Sequence, residues 1–325
     1  MRRRDFVTLV GGAVMACPLA ARAEQPVIGI LATASAEANA GRLRAFYEGL
    51  HVAGYVEDDN VKIEYRWAEE DSGRLPELVA QLVQQKVTVL VAAGGTASAL
   101  EAKAGTAKIP IVFAIAADPV ALGLVASLNR PGGNVTGITS LNMEVVPKRL
   151  QLLHELLPSA TNMALLVDPA VPDVTETATR LAPETARAAG LQLHVLDTKT
   201  ERDFDSVFET LTRLHVSGLV IAPSTFFSAH AEVLAELTVH HRLPAVYQFR
   251  RFVAAGGLMS YGSNELEYYR LVGTYAGKIL RGDKPADLPV QQSTKLELMI
   301  NLKTAKAFGL TIPIPLLGRA DETIE

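Results

Sequence analysis

Residues 87–113 read VTVLVAAGGTASALEAKAGTAKIPIVF. This segment begins with an apolar, mostly β-branched run at 87–91, which predicts a buried strand. It continues through Gly94-Gly95-Thr96-Ala97-Ser98 into a helical pattern at 97–104, and residues 109–113 predict the next strand. A strand, a helix and a second strand in this order form a unit whose strands lie parallel in one sheet.

The same alternation extends along most of the chain. Before this segment, strands are predicted at 27–31 and 61–65 and helices at 42–53 and 74–85. After it, the pattern restarts with strands at 163–167, 191–195, 218–222 and 244–247 and helices at 175–189, 204–214 and 229–241. Two halves of similar layout, joined near 139–144, predict an α/β protein with two parallel-sheet lobes and a cleft between them.

The chain then returns through Ser260-Tyr261-Gly262-Ser263 to a long predicted helix at 267–280. Each lobe is therefore expected to combine separate parts of the chain. We expect lobe 1 to comprise residues 26–141 plus about 264–287, and lobe 2 to comprise residues 142–263 plus about 288–325.

Residues 1–23 have the pattern of an export signal. Arg2-Arg3-Arg4 precede an apolar run at 7–16, and Ala21-Arg22-Ala23 is a typical cleavage site. Arg3-Arg4-Asp5-Phe6 fits a twin-arginine signal, and a Sec signal is the open alternative. Cleavage after Ala23 predicts a free periplasmic protein, whereas a loose lipidation motif ending at Cys17 offers a lipid anchor instead.

The remaining chain is acidic. The whole sequence has a formal net charge of −4, and the signal segment holds four arginines against Asp5, which leaves about −7 on the rest. An acidic surface disfavours nucleic acid as a partner, because phosphate backbones bind basic surfaces. Cys17 is the one cysteine, so no disulfide is expected after cleavage.

Motifs for catalysis and for cofactors are missing from the sequence. It has no G-x-S-x-G, H-E-x-x-H or G-x-x-x-x-G-K-[ST] pattern, and Gly94-Gly95-Thr96 does not complete G-x-G-x-x-G. The seven histidines are not spaced with acids in the manner of metal ligands. We therefore expect no catalytic residues, no metal and no cofactor.

Ligands of open parallel sheets bind at the carboxyl ends of the strands. Polar loops follow predicted strands at Ala32-Thr33-Ala34-Ser35, Gly94-Gly95-Thr96-Ala97-Ser98, Ala116-Ala117-Asp118-Pro119 and Pro223-Ser224-Thr225-Phe226-Phe227. At the second loop, glycines admit close approach of a ligand, and the helix N-terminus favours a carboxylate or phosphate. The alternative for Thr96 is a helix cap, and Asp118 either binds a ligand ammonium or caps a helix that begins at Pro119.

Aromatic residues lie at or near strand ends in the second half. Such side chains can enclose an apolar or aromatic ligand group, and core or rim packing is the alternative for each of them. The candidates are Phe226, Phe227, Tyr247, Phe249 and Tyr261.

Several motifs together resemble a known family. They include Asn129-Arg130-Pro131-Gly132-Gly133-Asn134-Val135-Thr136-Gly137, Ala255-Gly256-Gly257-Leu258-Met259-Ser260-Tyr261-Gly262 and Ala276-Gly277-Lys278-Ile279-Leu280-Arg281-Gly282. From Pro26 to Glu325, the chain resembles the solute-binding proteins of ABC-type importers related to tryptophan/tyrosine-binding proteins. The resemblance implies the type I periplasmic-binding-protein fold, with two Rossmann-like lobes and a hinge of three crossings.

The resemblance also implies ligand contacts. A ligand carboxylate would meet Gly95, Thr96 and Ala97, and Asp118 would line the same cleft. The pattern would also place an Asp or Asn at 224–225 and an acid near Gln248, and this sequence departs from it at both. The predicted ligand-binding residues are Ser35, Gly95, Thr96, Ala97, Asp118, Ser224, Tyr247, Gln248 and Tyr261.

These features predict a monomeric periplasmic receptor that closes its lobes on a small-molecule ligand and delivers it to the membrane permease of an ABC importer. The expected ligand is an amino acid or an aromatic or aliphatic carboxylate. A ligand-sensing module for a membrane receptor could have the same fold. An α/β enzyme is the third alternative, for which the sequence offers no nucleophile–base pair.

Overall fold

The computed structural model describes residues 25–325, so the predicted signal at 1–23 and Cys17 lie outside the described residues. The strands are β1 Val27–Ala32, β2 Lys62–Trp67, β3 Val89–Ala92, β4 Ile111–Ile115, β5 Val135–Ser140, β6 Asn162–Val167, β7 Gln192–Asp197, β8 Gly218–Ile221, β9 Ala245–Tyr247, β10 Met259–Ser263, β11 Gln291–Ser293, β12 Leu296–Asn301 and β13 Glu322–Ile324. The helices are α1 Ala40–Val52, α2 Leu75–Gln84, α3 Gly95–Gly105, α4 Val146–Leu156, α5 Pro172–Ala188, α6 Phe204–Arg213, α7 Thr225–Ala229, α8 Ala231–His240, α9 Arg250–Ala254, α10 Glu265–Leu280, α11 Leu302–Phe308 and α12 Ile314–Leu317.

The first sheet has the order β11-β5-β4-β3-β1-β2, and all its pairings are parallel. β3 and β4 are buried along their whole length, as expected for Val- and Ile-rich strands covered on both faces. One face packs on α1 and α10 through residues such as Phe46 and Val272, and the other on α2 and α3 through Leu78 and Ala99. This sheet and its helices form lobe 1.

The second sheet has the order β13-β12-β10-β9-β8-β6-β7 and is parallel except where β10 pairs with β12. Its two faces bury separate apolar clusters. Leu150 and Ala178 from α4 and α5 belong to one cluster, and Phe208 and Leu234 from α6 and α8 belong to the other. This sheet and its helices form lobe 2, and the predicted α/β fold with two parallel-rich sheets is confirmed.

The chain passes between the sheets after β5, after β10 and after β11. The third passage lies later than predicted, because β11 pairs with β5 of lobe 1, with Gln291 opposite Ile138. Residues 288–293 were expected in lobe 2. The error has a physical reason, since Gln291-Gln292-Ser293 is short and polar and has no apolar pattern that marks a strand.

Most predicted helices are found within a few residues, including α2, α5 and α10. The helix predicted at 229–241 is α8, which begins two residues later at Ala231, and the short helix α7 that precedes it was not predicted. Ser224 begins α7 by accepting a hydrogen bond from Phe227 N at 3.3 Å. Within residues 25–325, no helix has the length and apolar character needed to cross a bilayer.

Candidate functional site

The carboxyl ends of the two sheets border a cavity of about 370 Å³. Loops after β1, β2, β3 and β4 line it from lobe 1, and loops after β6, β7, β8 and β9 line it from lobe 2. The volume lies within the range of small-molecule sites, about 300–1,000 Å³. A molecule bound there would touch both lobes.

The loop between β3 and α3 places a helix N-terminus at this cavity. Gly94 and Gly95 are required by the local geometry, because a Cβ at Gly94 would lie 2.5 Å from Thr33 N and Gly95 has φ of +77°. α3 starts at Gly95, and three of the predicted ligand-binding residues, Gly95, Thr96 and Ala97, line the cavity. The positive end of the helix dipole therefore faces the space where a ligand carboxylate could bind.

Ser98, rather than Thr96, organises this helix start. The Ser98 hydroxyl accepts a hydrogen bond from Gly94 N at 2.9 Å and donates to Gly95 O at 2.9 Å. Thr96 makes no capping bond, and its hydroxyl donates to Asp173 Oδ2 in α5 at 3.3 Å. Thr96 thus joins lobe 1 to lobe 2 at the edge of the cavity.

Asp168 is the acidic residue that sequence reasoning missed. It follows β6 directly, is 3% exposed and lines the cavity from lobe 2. Its carboxylate accepts hydrogen bonds from Ser224 Oγ at 2.6 Å and Ala170 N at 2.9 Å. Burial raises the pKa of Asp168, and these two hydrogen bonds partly oppose that rise. Since no basic side chain within residues 25–325 pairs with it, a ligand ammonium would supply the missing countercharge.

Asp118, which was predicted to line the cleft, lies outside the cavity lining. It is exposed, and its Oδ1 accepts hydrogen bonds from Val120 N at 2.8 Å and Ala121 N at 3.2 Å. Asp118 therefore caps a turn, which is close to the alternative role given to it above. Both Asp118-Pro119 and Asp168-Pro169 follow buried strands, but Asp168 comes directly after β6 whereas Asp118 comes three residues after Ile115. Immediate succession to a strand was the signal that could have identified Asp168.

Ser224 and Gln248, two further predicted ligand-binding residues, line the cavity. Ser224 donates to Asp168, and Gln248 Nε2 donates to Ser228 Oγ at 2.9 Å and to Ser224 O at 3.2 Å. Gln248 is 2% exposed. The resemblance implied an Asp or Asn at the first of these positions and an acid at the second. In this chain, Ser224 instead holds the Asp168 carboxylate, and Gln248 holds the loop that carries Ser224.

Ser35, Tyr247 and Tyr261 do not line the cavity. Ser35 Oγ accepts a hydrogen bond from Ala38 N at 3.3 Å, just before α1. Tyr247 is fully buried with its hydroxyl 2.6 Å from Thr238 Oγ1, and Tyr261 packs on the apolar cluster between α4 and the sheet. Since successive strand residues point to opposite faces, a position near a strand end does not make a side chain face the ligand.

Aromatic rings from both lobes border the cavity. Phe226 and Phe249 contribute from lobe 2, whereas Phe227 is buried in the core. Tyr268 and Tyr269 of α10 contribute from lobe 1, and their hydroxyls donate to Ile115 O at 2.9 Å and Ala93 O at 3.0 Å. These fixed rings suit a ligand with an apolar or aromatic group.

The lining has an excess of acidic side chains. The acids are Glu69, Glu70, Asp71, Asp168 and Glu201, and the basic residues are Arg42 and Lys199. Arg42 is already paired with Glu265. The cavity therefore favours a ligand that carries a positive charge.

The family model for ABC transporter substrate-binding proteins matches residues 27–324. The chain belongs to this family. It is 24% identical over 274 residues to a tyrosine-binding protein of Clostridioides difficile, a match that covers 82% of this chain and 76% of the relative.

Solved structures share the fold of this substrate-binding protein. The ABC domain from Streptococcus pneumonia in complex with L-Trp has 25% identity and a TM-score of 0.83, with 93% of this chain and 100% of the other covered. The ligand-free, open structure of a substrate-binding protein with adhesive properties from Clostridium difficile has 23% identity and a TM-score of 0.64, with 92% and 100% covered.

The predicted family and the type I periplasmic-binding-protein fold are thus confirmed, as is the role of solute binding for an ABC transporter. Membership of a substrate-binding family of ABC transporters implies a small-molecule ligand and a membrane permease as partners. Among residues 25–325, no group of three His, Cys, Asp or Glu side chains is placed to hold a metal ion.

Proposed function

We propose that this substrate-binding protein takes an α-amino acid with an apolar or aromatic side chain. One observation carries the proposal, namely that the N-terminus of α3 and the buried Asp168 line the same cavity from different lobes. The helix N-terminus suits the ligand carboxylate and Asp168 suits its ammonium group. The rings of Phe226, Phe249 and Tyr269 suit the side chain.

Asp168 also favours an amino acid over the other ligand class considered, a simple carboxylate. A carboxylate without an ammonium group would leave Asp168 buried and unpaired beside a second negative charge. Two relatives support the proposal, because one is a tyrosine-binding protein and the other was solved with L-Trp.

Isothermal titration calorimetry on protein freed of carried-over ligand tests this proposal. The panel is L-tryptophan, L-tyrosine, L-phenylalanine, L-leucine, benzoate and 3-phenylpropanoate. We expect at least one amino acid to bind at least about tenfold more tightly than either simple carboxylate, because each factor of ten needs only about 1.4 kcal/mol. Equal or tighter binding of benzoate or 3-phenylpropanoate would refute the role of the ammonium group.

Asp168→Asn sharpens the experiment, since it removes the charge and retains an amide of similar size. Loss of a charged hydrogen bond costs about 1.5–3 kcal/mol, so amino-acid affinity should fall about 10- to 100-fold. Asp118→Asn is the matched control and should bind like wild type, because Asp118 is exposed and outside the lining. Equal losses in the two variants would contradict the assignment.

We further propose that the protein acts in the periplasm as a monomer that meets the permease of an importer, after export through the signal at 1–23. The typical location of the family outside the cytoplasm supports this proposal. Mass spectrometry of the protein from the periplasmic fraction should give a chain that begins at Glu24. A lipidated chain that begins at Cys17 would show an anchored protein instead, and light scattering tests the monomer.

A further inference from the structure

A buried group of three charged side chains lies where the two lobes meet. Glu265, the first residue of α10, is 4% exposed. Its Oε1 lies 2.8 Å from both Nε and Nη2 of Arg42, which is also 4% exposed. Its Oε2 lies 2.9 Å from Arg251 Nε. We call Arg42, Glu265 and Arg251 the charged triad.

The triad joins the two lobes through Arg251 alone. Arg42 in α1 and Glu265 in α10 both belong to lobe 1, whereas Arg251 lies in α9 of lobe 2. Arg251 Nη1 also donates to Ser228 O of lobe 2 at 3.1 Å and to Ala38 O of lobe 1 at 3.4 Å. One guanidinium group therefore contacts a backbone oxygen of lobe 2 and both a backbone and a carboxylate oxygen of lobe 1.

The triad is directly connected to the ligand cavity. Arg42 lines the cavity and lies over the ring of Tyr269, 5.4 Å from its centroid. Gln248 and Phe249, which line the cavity from lobe 2, immediately precede the helix that carries Arg251. Movement of lobe 2 against a ligand would therefore move Arg251 relative to Glu265.

The two arginines are bound to Glu265 in different ways. Arg42 Nε donates a hydrogen bond to Glu265 Oε1, and although burial acts to lower the pKa of Arg42, Glu265 raises it. Arg251 Nε does not point its N–H at an oxygen, so its contact with Glu265 is ionic. Arg251 is 23% exposed in its side chain and can return to water, whereas Glu265 keeps Arg42 as its partner. Separation of the lobes would thus leave no carboxylate buried and unpaired.

We propose that Arg251 is a positioning residue for ligand capture, a latch that holds the lobes closed and sets the closed fraction of the ligand-free protein. This inference rests on the proposed function, because it assumes that the lobes close when the ligand binds. A ligand that binds the closed form gains apparent affinity in proportion to the closed fraction. Arg251 would therefore affect affinity without touching the ligand.

Small-angle X-ray scattering on ligand-free protein tests the latch without knowledge of the ligand. Arg251→Ala should raise the radius of gyration above that of wild type, because the closed fraction falls. Arg250→Ala is the control, since Arg250 is the neighbouring residue of the same helix and pairs with Glu322 of lobe 2 at 3.0 Å. It should leave the radius of gyration unchanged.

Arg251→Lys should lie between wild type and Arg251→Ala, because an ammonium can meet Glu265 but cannot reach three oxygens as the planar guanidinium does. For the amino acid of the panel that binds most tightly, Arg251→Ala should raise the Kd about tenfold and Arg250→Ala should not. Thermal unfolding checks that each variant folds. If Arg251→Ala does not fold, Arg251→Lys is compared with wild type in its place.

If Arg251→Ala has the same radius of gyration and the same Kd as wild type, Arg251 is not a latch. Equal changes in Arg250→Ala and Arg251→Ala would overturn it as well, since the effect would then belong to the helix. Failure of the whole ligand panel would count against the proposed ligand class only, because the scattering comparison needs no ligand.

Discussion

Asp168 has opposite effects on the stability of the protein when the cleft is empty and when it holds a ligand. In the ligand-free protein, its buried carboxylate has two hydrogen bonds and no countercharge within the described residues. A bound ammonium would turn the same group into half of an ion pair. Such a residue lowers stability for the sake of binding, as is common at functional sites.

The raised pKa of Asp168 gives a prediction with a definite sign. Below the usual carboxyl pKa of 3.8, Asp168 is neutral in both the folded and the unfolded state and its burial does not destabilise the fold. As pH rises from there through the raised pKa of the folded state, the free energy of unfolding falls, because the unfolded state loses its proton more readily. Ligand-free Asp168→Asn should therefore be more stable than wild type at pH 7, with the difference shrinking towards pH 4. Urea unfolding midpoints across this range measure it.

The control for that series is Asp118→Asn, whose exposed carboxylate should give no comparable gain at pH 7. A saturating concentration of a binding amino acid should reverse the order and make wild type the more stable protein. Asp168→Asn with wild-type stability at both ends of the range would argue against a buried, uncompensated charge.

At the same scale, the sequence identified the loops of the site better than the side chains. Gly95, Thr96, Ala97, Ser224 and Gln248 line the cavity because strand order alone brings their loops together. Tyr247 and Tyr261 do not, because the face on which a strand residue emerges depends on register. Asp168 was missed although its sequence context resembled that of Asp118.

At the scale of elements, α1 and α10 approach closely enough that only glycine fits at their contact. A Cβ at Gly49 would lie 1.8 Å from Arg270 O, and one at Gly273 would lie 2.0 Å from Phe46 O. This contact anchors α10, the helix that supplies Glu265, Tyr268 and Tyr269, to lobe 1. The geometry of the cavity wall therefore depends on two residues that are remote from the ligand.

Two substitutions in α1 should change stability in opposite directions. Gly49→Ala should lower the free energy of unfolding by about 1–3 kcal/mol or more, because its methyl group meets backbone that must shift. Gly41→Ala, with no atom within 4 Å of the new Cβ, should raise it by up to about 0.5–1 kcal/mol through helix propensity. Urea denaturation compares them, and a loss of similar size in both variants would contradict close packing as the cause.

The elements also show where periodicity is informative. Long amphipathic segments such as α5 and α10 were predicted within a few residues, because tertiary packing reinforces their apolar face. β11 and the short helix α7 were not predicted. Their positions are determined by pairing with distant strands and by the start of α7 at Ser224, which a local pattern does not contain.

At the scale of the whole molecule, the lobes meet at several polar contacts around one cavity. Thr96 reaches Asp173 on one side, Arg251 reaches Glu265 and Ala38 on another, and His230 lies 3.7 Å from Glu70. Polar contacts of this kind are readily exchanged for water, whereas the apolar clusters lie within each lobe. Such an arrangement suits rigid lobes that move relative to each other.

The late return of the chain to lobe 1 also bears on the order in which the protein folds. Tyr268 of α10 donates to Ile115 O and Ile138 O, and β11 completes the edge of the same sheet, yet both elements are synthesised after the whole of β6–β10. Lobe 1 must therefore close a loop of well over a hundred residues, which slows folding.

This delay predicts the order in which the two lobes fold. In pulsed hydrogen exchange during refolding, amides of β6 and β8 should gain protection before those of β3 and β4, and the reverse order would contradict the prediction. In a nascent chain, the part of the lobe 1 sheet that α10 covers stays exposed until residues 265–280 have been made, and exposed apolar strands are prone to aggregate in that interval.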